Sequence, residues 1–187
     1  MTTAQHNTGV TIEELLKSGA HFGHQTSRWN PKMKRFIFEE RNGIYIIDLA
    51  KTLQQIRSAV GVVREIVAKR KSVLFVGTKK QAKIVIKESA EESDEFYVCE
   101  RWLGGTLTNL STIRQSVKTL ERIEKRVAAG GEGLTKKEVS SWNKERVKLD
   151  RNLSGIRSMR KLPGLLIVVD PSHEHIAVAE ANTMWIS

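Results

Sequence analysis

Three short, unbroken apolar runs limit what this chain can fold into: Val73-Leu74-Phe75-Val76, Phe96-Tyr97-Val98-Cys99 and Leu165-Leu166-Ile167-Val168-Val169. A strand with one face in water alternates apolar and polar residues, so an unbroken run marks a strand covered on both faces. Each run sits beside a helical pattern. From Thr52, the residues Leu53, Ile56, Val60, Val63 and Val67 recur at steps of three and four, one buried helix face, and Lys69, Arg70 and Lys71 follow where cations suit the helix dipole. A second helical stretch covers 80–91, and a third follows Asp170-Pro171. Strands alternating with helices predict an α/β layer structure, a parallel sheet with helices on both faces.

Two segments depart from that rhythm. Near the N-terminus, Thr11 and Glu14 form a capping box, Leu15 and Leu16 an apolar face and Gly19 a stop, so 11–18 reads as a short amphipathic helix. The stretch HFGHQTSRWNPKMKRF reads as a loop, and Asn42-Gly43 between short apolar runs predicts a β-hairpin over 35–48. Farther along, Ile113, Val117, Leu120 and Val127 make one helical stripe, and Val139, Trp142, Leu149, Leu153 and Ile156 make another. The break Ala129-Gly130-Gly131-Glu132-Gly133 and a second capping box, Thr135 with Glu138, separate them. Residues 111–157 thus read as an antiparallel helical hairpin, a coiled-coil-like subdomain inserted into an α/β domain formed by 1–110 and 158–187.

Charge then narrows the partner. The 187 residues carry a formal charge of +10, and it is segmented: +10 over 1–87, −6 over 88–100, +9 over 101–161 and −3 over 162–187. Two basic blocks around an acidic patch suggest defined polyanion-binding faces, with nucleic acid the obvious polyanion. The 40% apolar content can supply a core. The lone Cys99 excludes a disulfide scaffold, and no stretch approaches the roughly 18 apolar residues of a membrane span. The expectation is a soluble protein of the cytoplasm or an organelle, without membrane contact.

Catalytic patterns are sparse. Gly77-Thr78-Lys79-Lys80 follows a strand and opens a helix, where α/β folds bind phosphate through backbone N–H groups. It lacks the P-loop spacing, and no G-x-G-x-x-G is present, so nucleic-acid phosphates fit Lys79 and Lys80 better than a nucleotide does. His21 with His24, and His173 with His175, do not have the spacing of a zinc site, and H-E-H is not a metalloprotease motif. The expectation is no enzyme, no metal, no cofactor and no small-molecule substrate. A nucleotide-dependent α/β enzyme is the alternative, and a protein-interaction module built on the helical hairpin a third reading.

Binding patterns are richer. In Arg28-Trp29-Asn30-Pro31-Lys32-Met33-Lys34-Arg35 an indole lies among flexible cations. Such a loop can meet phosphates with Arg28, Lys32, Lys34 and Arg35, while Trp29 either stacks on a base or packs on its own domain. In Arg101-Trp102-Leu103-Gly104-Gly105-Thr106-Leu107-Thr108-Asn109, Gly104 and Gly105 permit close backbone approach, and Thr106 and Asn109 can donate to phosphate. A tight strand-to-helix turn explains the same residues.

GAHFGHQTSRWNPKMKRFIFEERNGIYIIDLAKT, VLFVGTKKQA, RWLGGTLTN and LPGLLIVVDPSHEHIAVAEA, in this order and spacing, resemble the small-subunit ribosomal protein two family of bacteria and organelles, from about Val10 to Ala181. The resemblance implies a flavodoxin-like fold with a projecting helical hairpin. It implies binding to small-subunit ribosomal RNA, contact with neighbouring ribosomal proteins and help in docking ribosomal protein one. Carried onto this sequence, it implies RNA contacts from the Arg28–Arg35 loop, from Lys79 and Lys80 and from the Arg101–Asn109 turn; Arg114, just beyond that turn, is a further candidate RNA contact. It also implies that the three apolar strands lie in the order second, first, third. Where the family continues into further strands, this chain reads Asn182-Thr183-Met184-Trp185-Ile186-Ser187, so the Leu165–Val169 strand is expected to be left as an apolar edge.

Overall fold

The structure, a computed structural model, describes residues 9–128 and 135–187, without the side chain of Lys136. Its contacts divide the chain into two compact units, 1–65 and 66–187.

The first unit holds α1 (Ile12–Lys17) and a three-stranded antiparallel sheet, β1 (Phe22–Gln25), β2 (Ile37–Arg41) and β3 (Ile44–Ile47), in the order β1-β3-β2. The capping box predicted for α1 is present: the Thr11 hydroxyl accepts from the Glu14 N–H at 3.2 Å, and the Glu14 carboxylate accepts from the Thr11 N–H at 2.8 Å. Asn42 and Gly43 both take positive φ, 51° and 73°, as the tight hairpin turn requires. β1 corrects the expectation of an unbroken loop. Its residues show no apolar alternation, and Gly23 reads as a loop signal. In the sheet that glycine permits close approach, because a Cβ there would lie 2.7 Å from the Tyr45 carbonyl oxygen. The loop that follows is two 3-10 turns, Thr26–Arg28 and Pro31–Phe36.

α2 (Leu49–Ala68) begins earlier than the periodicity suggests. Asp48 caps it, its Oδ1 accepting from the N–H groups of Ala50 and Lys51 at 3.0 and 3.1 Å. These bonds, those from Lys51 foremost, hold the Asp48 carboxyl below its ordinary pKa.

The second unit is built on the three apolar runs, β4 (Val73–Val76), β5 (Phe96–Val98) and β6 (Leu165–Val168), in a parallel sheet of order β5-β4-β6. This is the expected order, with Leu74 opposite Phe96 on one side and Leu166 on the other. α3 (Lys83–Glu92) starts three residues later than predicted, and α6 (His175–Thr183) follows β6. Outside the β4 pairing, the Leu166 N–H donates to the Ser187 carbonyl at 2.9 Å.

Between β5 and β6 in sequence run α4 (Leu110–Ala128) and α5 (Lys136–Leu153), which pack on each other. Their contacts run antiparallel: Ile113, Val117 and Leu153 share one core cluster, and farther along Arg126 stacks over Trp142 at 5.1 Å. The Thr135–Glu138 capping box is formed, whereas the glycine-rich break lies outside the described residues. That cluster also holds Leu74, Val76, Leu107 and Met159, so the base of the helical pair is continuous with the core over the sheet.

Candidate nucleic-acid interface

In the first unit, the Asn30 side chain accepts from the Lys32 N–H at 3.0 Å, and Pro31 supplies the fixed φ that starts the next 3-10 turn. Asn30 therefore orders the loop. The turn leaves Lys32, Lys34 and Arg35 exposed, with Arg28 exposed before it. Arg28, Lys32 and Lys34 have no carboxylate partner among the described residues. The Arg35 guanidinium lies over the Phe36 ring at 4.7 Å, and its backbone carbonyl accepts from Lys51 Nζ at 2.8 Å. Trp29 is half-buried, with its ring 5.2 Å from Tyr45, so packing on its own domain accounts for much of the indole.

In the second unit, candidate residues lie on the loops leaving the carboxyl ends of β4 and β5, where open α/β sheets bind ligands. The loop after β4 is occupied by the chain itself. Glu174 Oε1 accepts from the Thr78 N–H at 2.9 Å and from the Thr78 hydroxyl at 2.5 Å. A carboxylate thus sits where a phosphate oxygen would be cradled. Lys79 is paired with Asp170, whose carboxyl is held below its ordinary range by that ammonium and by the N–H of His173. Lys80 is exposed and unpaired among the described residues.

The turn after β5 is filled in the same way. Glu180, 8% exposed, accepts from Trp102 Nε1 at 3.0 Å and the Gly105 N–H at 2.8 Å through Oε1. Through Oε2 it accepts from the N–H groups of Leu107 and Thr108 and from the Thr108 hydroxyl, at 2.9, 3.1 and 3.1 Å. Burial pushes its carboxyl pKa up, but the indole and backbone donors outweigh that and hold it low. Gly105 takes φ +90°, which bends the N–H groups onto the carboxylate. Thr106 is 1% exposed and donates to the Leu103 carbonyl at 2.5 Å. Thr106 is thus buried, and the Gly105 N–H is taken by Glu180. Asn109 accepts from the hydroxyls of Ser111 and Thr112 at 3.0 and 2.9 Å, steadying the start of α4. Arg101, Gly104 and Arg114 face outward, Arg114 beside Lys118, Arg157 and Arg160 around one shallow cavity.

Glu174 and Glu180, which tie both loops to the α6 segment, escaped sequence reasoning. The signal was available: Asp170, Glu174 and Glu180 are the only charged residues of 162–187, and each holds one of these loops. In His173-Glu174-His175 the working residue is the glutamate between the histidines. Burial, and secondarily the Glu100 charge, push the Cys99 thiol up to about 11, keeping it protonated and unreactive. No group of three or more metal-ligating side chains occurs among the described residues.

The sequence model of the family described as Ribosomal protein S2 matches residues 15–187. Over 177 residues, 95% of this chain, it is 75% identical to the small ribosomal subunit protein uS2 of Protochlamydia amoebophila (strain UWE25). Over the same length it is 61% identical to uS2 of Chlamydia pneumoniae and 62% identical to uS2 of Chlamydia trachomatis serovar D. The chain spans 65%, 64% and 63% of the lengths of these relatives, respectively. This chain belongs to the ribosomal protein S2 family.

Proposed function

We propose that the chain is a structural, non-enzymatic constituent of the small ribosomal subunit, in the cytoplasm, that binds ribosomal RNA through exposed cations held on rigid turns. The observation that carries this reading is the contrast between captured donors and free cations. In the loops after β4 and β5 backbone donors are taken by Glu174 and Glu180, and in the first unit Asn30 takes that of Lys32, whereas Arg28, Lys32, Lys34, Lys80, Arg101 and Arg114 are exposed without acid partners among the described residues. Long cations on fixed turns suit phosphate contacts, which position a protein on RNA and supply affinity by counterion release. A nucleotide enzyme is disfavoured because Glu174 stands where its phosphate would bind. In this reading α4 and α5 form the inserted subdomain and projecting hairpin of a flavodoxin-like domain. The exposed Ile12 and Leu16 of α1, 46% and 52% exposed, offer an apolar face for ribosomal protein one.

The test is binding of the full chain to small-subunit ribosomal RNA over a salt series. Arg35→Ala and Lys80→Ala are each expected to weaken binding and reduce the slope of log K against log salt by roughly 0.7 to 0.9, the value of one lost phosphate contact. Glu91→Gln, on the acidic segment, should leave the slope unchanged. Equal effects at all three positions would contradict localised RNA faces.

A further inference from the structure

Beside the turn that precedes β6 lies a cleft of about 680 Å³, bordered by Arg70, Lys71, Arg160, Lys161 and Trp185. No carboxylate lines it, and the four cations, all exposed, have no ion pair or side-chain hydrogen bond among the described residues. Elsewhere in this unit cations such as Lys83, Arg151 and Arg157 are answered by glutamates. Here four cations border one cleft whose lining holds no carboxylate.

The cleft is a built feature. Gly164 packs so tightly on the stem of Lys71 that a Cβ there would lie 2.6 Å from Lys71 Cβ, and its N–H donates to the Ser72 carbonyl at 2.8 Å. That contact sets Lys71 beside the Arg160-Lys161 pair. Arg70 and Trp185 both take left-handed backbone conformations, with φ 54° each, which side-chain-bearing residues adopt rarely and at a cost. The Trp185 indole is 94% exposed at the rim of the cleft. Cations that can span adjacent phosphates next to an open aromatic face are the two parts of a single-strand binding site.

We propose that this cleft binds a single-stranded segment of RNA, with backbone phosphates on the four cations and one base stacked on Trp185. The inference rests on the RNA-binding reading and adds to it a surface outside the loops assigned above, adjoining the Arg114 cavity at Arg160. It is tested with the full chain and small-subunit ribosomal RNA, measured by fluorescence anisotropy over a salt series. Lys71→Ala/Lys161→Ala is expected to weaken binding and lower the salt slope by roughly 1.5, two contacts' worth. Trp185→Ala should weaken binding roughly tenfold, with Trp185→Phe restoring most of it, since a stacking platform needs a ring and not an indole. The variants alter exposed side chains, so unchanged thermal melts accompany these losses. If the Lys71/Lys161 pair and Trp185 variants bind as the parent while Arg35→Ala still weakens binding, the cleft is overturned and the RNA reading stands. Loss through the lysines alone, reproduced with inorganic polyphosphate and indifferent to Trp185, would reduce the cleft to a simple anion site and overturn the proposal. Failure of the parent chain to bind RNA at all would overturn both.

Discussion

Glu180 shows how a single buried charge can define a turn. Its two oxygens receive the Trp102 indole, three backbone N–H groups and a hydroxyl, so the 102–108 turn is wound around one carboxylate. Glu180→Gln removes the charge and sets an amide donor against these donors, which should destabilise the second unit by about 2 to 4 kcal/mol and lower its Tm by roughly 5 to 15 °C. The carboxyl is held low in the folded chain, so its contribution is complete at neutral pH and is lost as pH falls through the folded value. Acid titration from about pH 5 downward should therefore cost the parent more stability than the Gln variant. A larger loss in the variant would contradict the assignment. Cations were legible at this scale because Lys and Arg declare their chemistry wherever they sit. The anchors were not, because whether a glutamate is solvated or ties a loop depends on a partner about 75 residues away, as for Glu180 and Gly105.

The elements were legible in proportion to the length of their pattern. The four-residue run of β4 and the long stripes of α2 and α4 appear where periodicity places them, shifted by a few residues at the ends. β1 was hidden because its pairing is set by β3 and by the missing side chain of Gly23, neither visible within its own four residues. Gly155 is a similar case. It lies in the 3-10 turn Ser154–Ile156 that joins α5 to the core, and a Cβ there would lie 2.2 Å from the Tyr97 carbonyl oxygen and 2.5 Å from its ring. Backbone blocks one side and a β5 aromatic the other, so neither can step aside cheaply. Gly155→Ala is expected to cost about 3 kcal/mol or more, a fall of roughly 6 to 12 °C in Tm. A melt within a degree of the parent would show that the Ser154–Ile156 turn does not press on β5 as described.

For the molecule as a whole, the segmented charge of the sequence becomes a division of labour. Asp170, Glu174 and Glu180 hold loops and Glu100 joins Lys83 to Arg151, while among the described residues bases such as Arg28, Lys32, Lys34 and Lys80 are exposed without an acid partner. Net charge alone pointed to a polyanion, but only the fold separates cations that serve the protein from those available to a partner. In the proposed function these exposed cations seat the chain in the small ribosomal subunit. Sedimentation of cell extract through a sucrose gradient, with and without ribonuclease, is the test. The chain is expected to migrate with the small subunit and to leave that position after nuclease treatment. A chain that stays at the top of the gradient, or whose migration ignores nuclease, would contradict the claim.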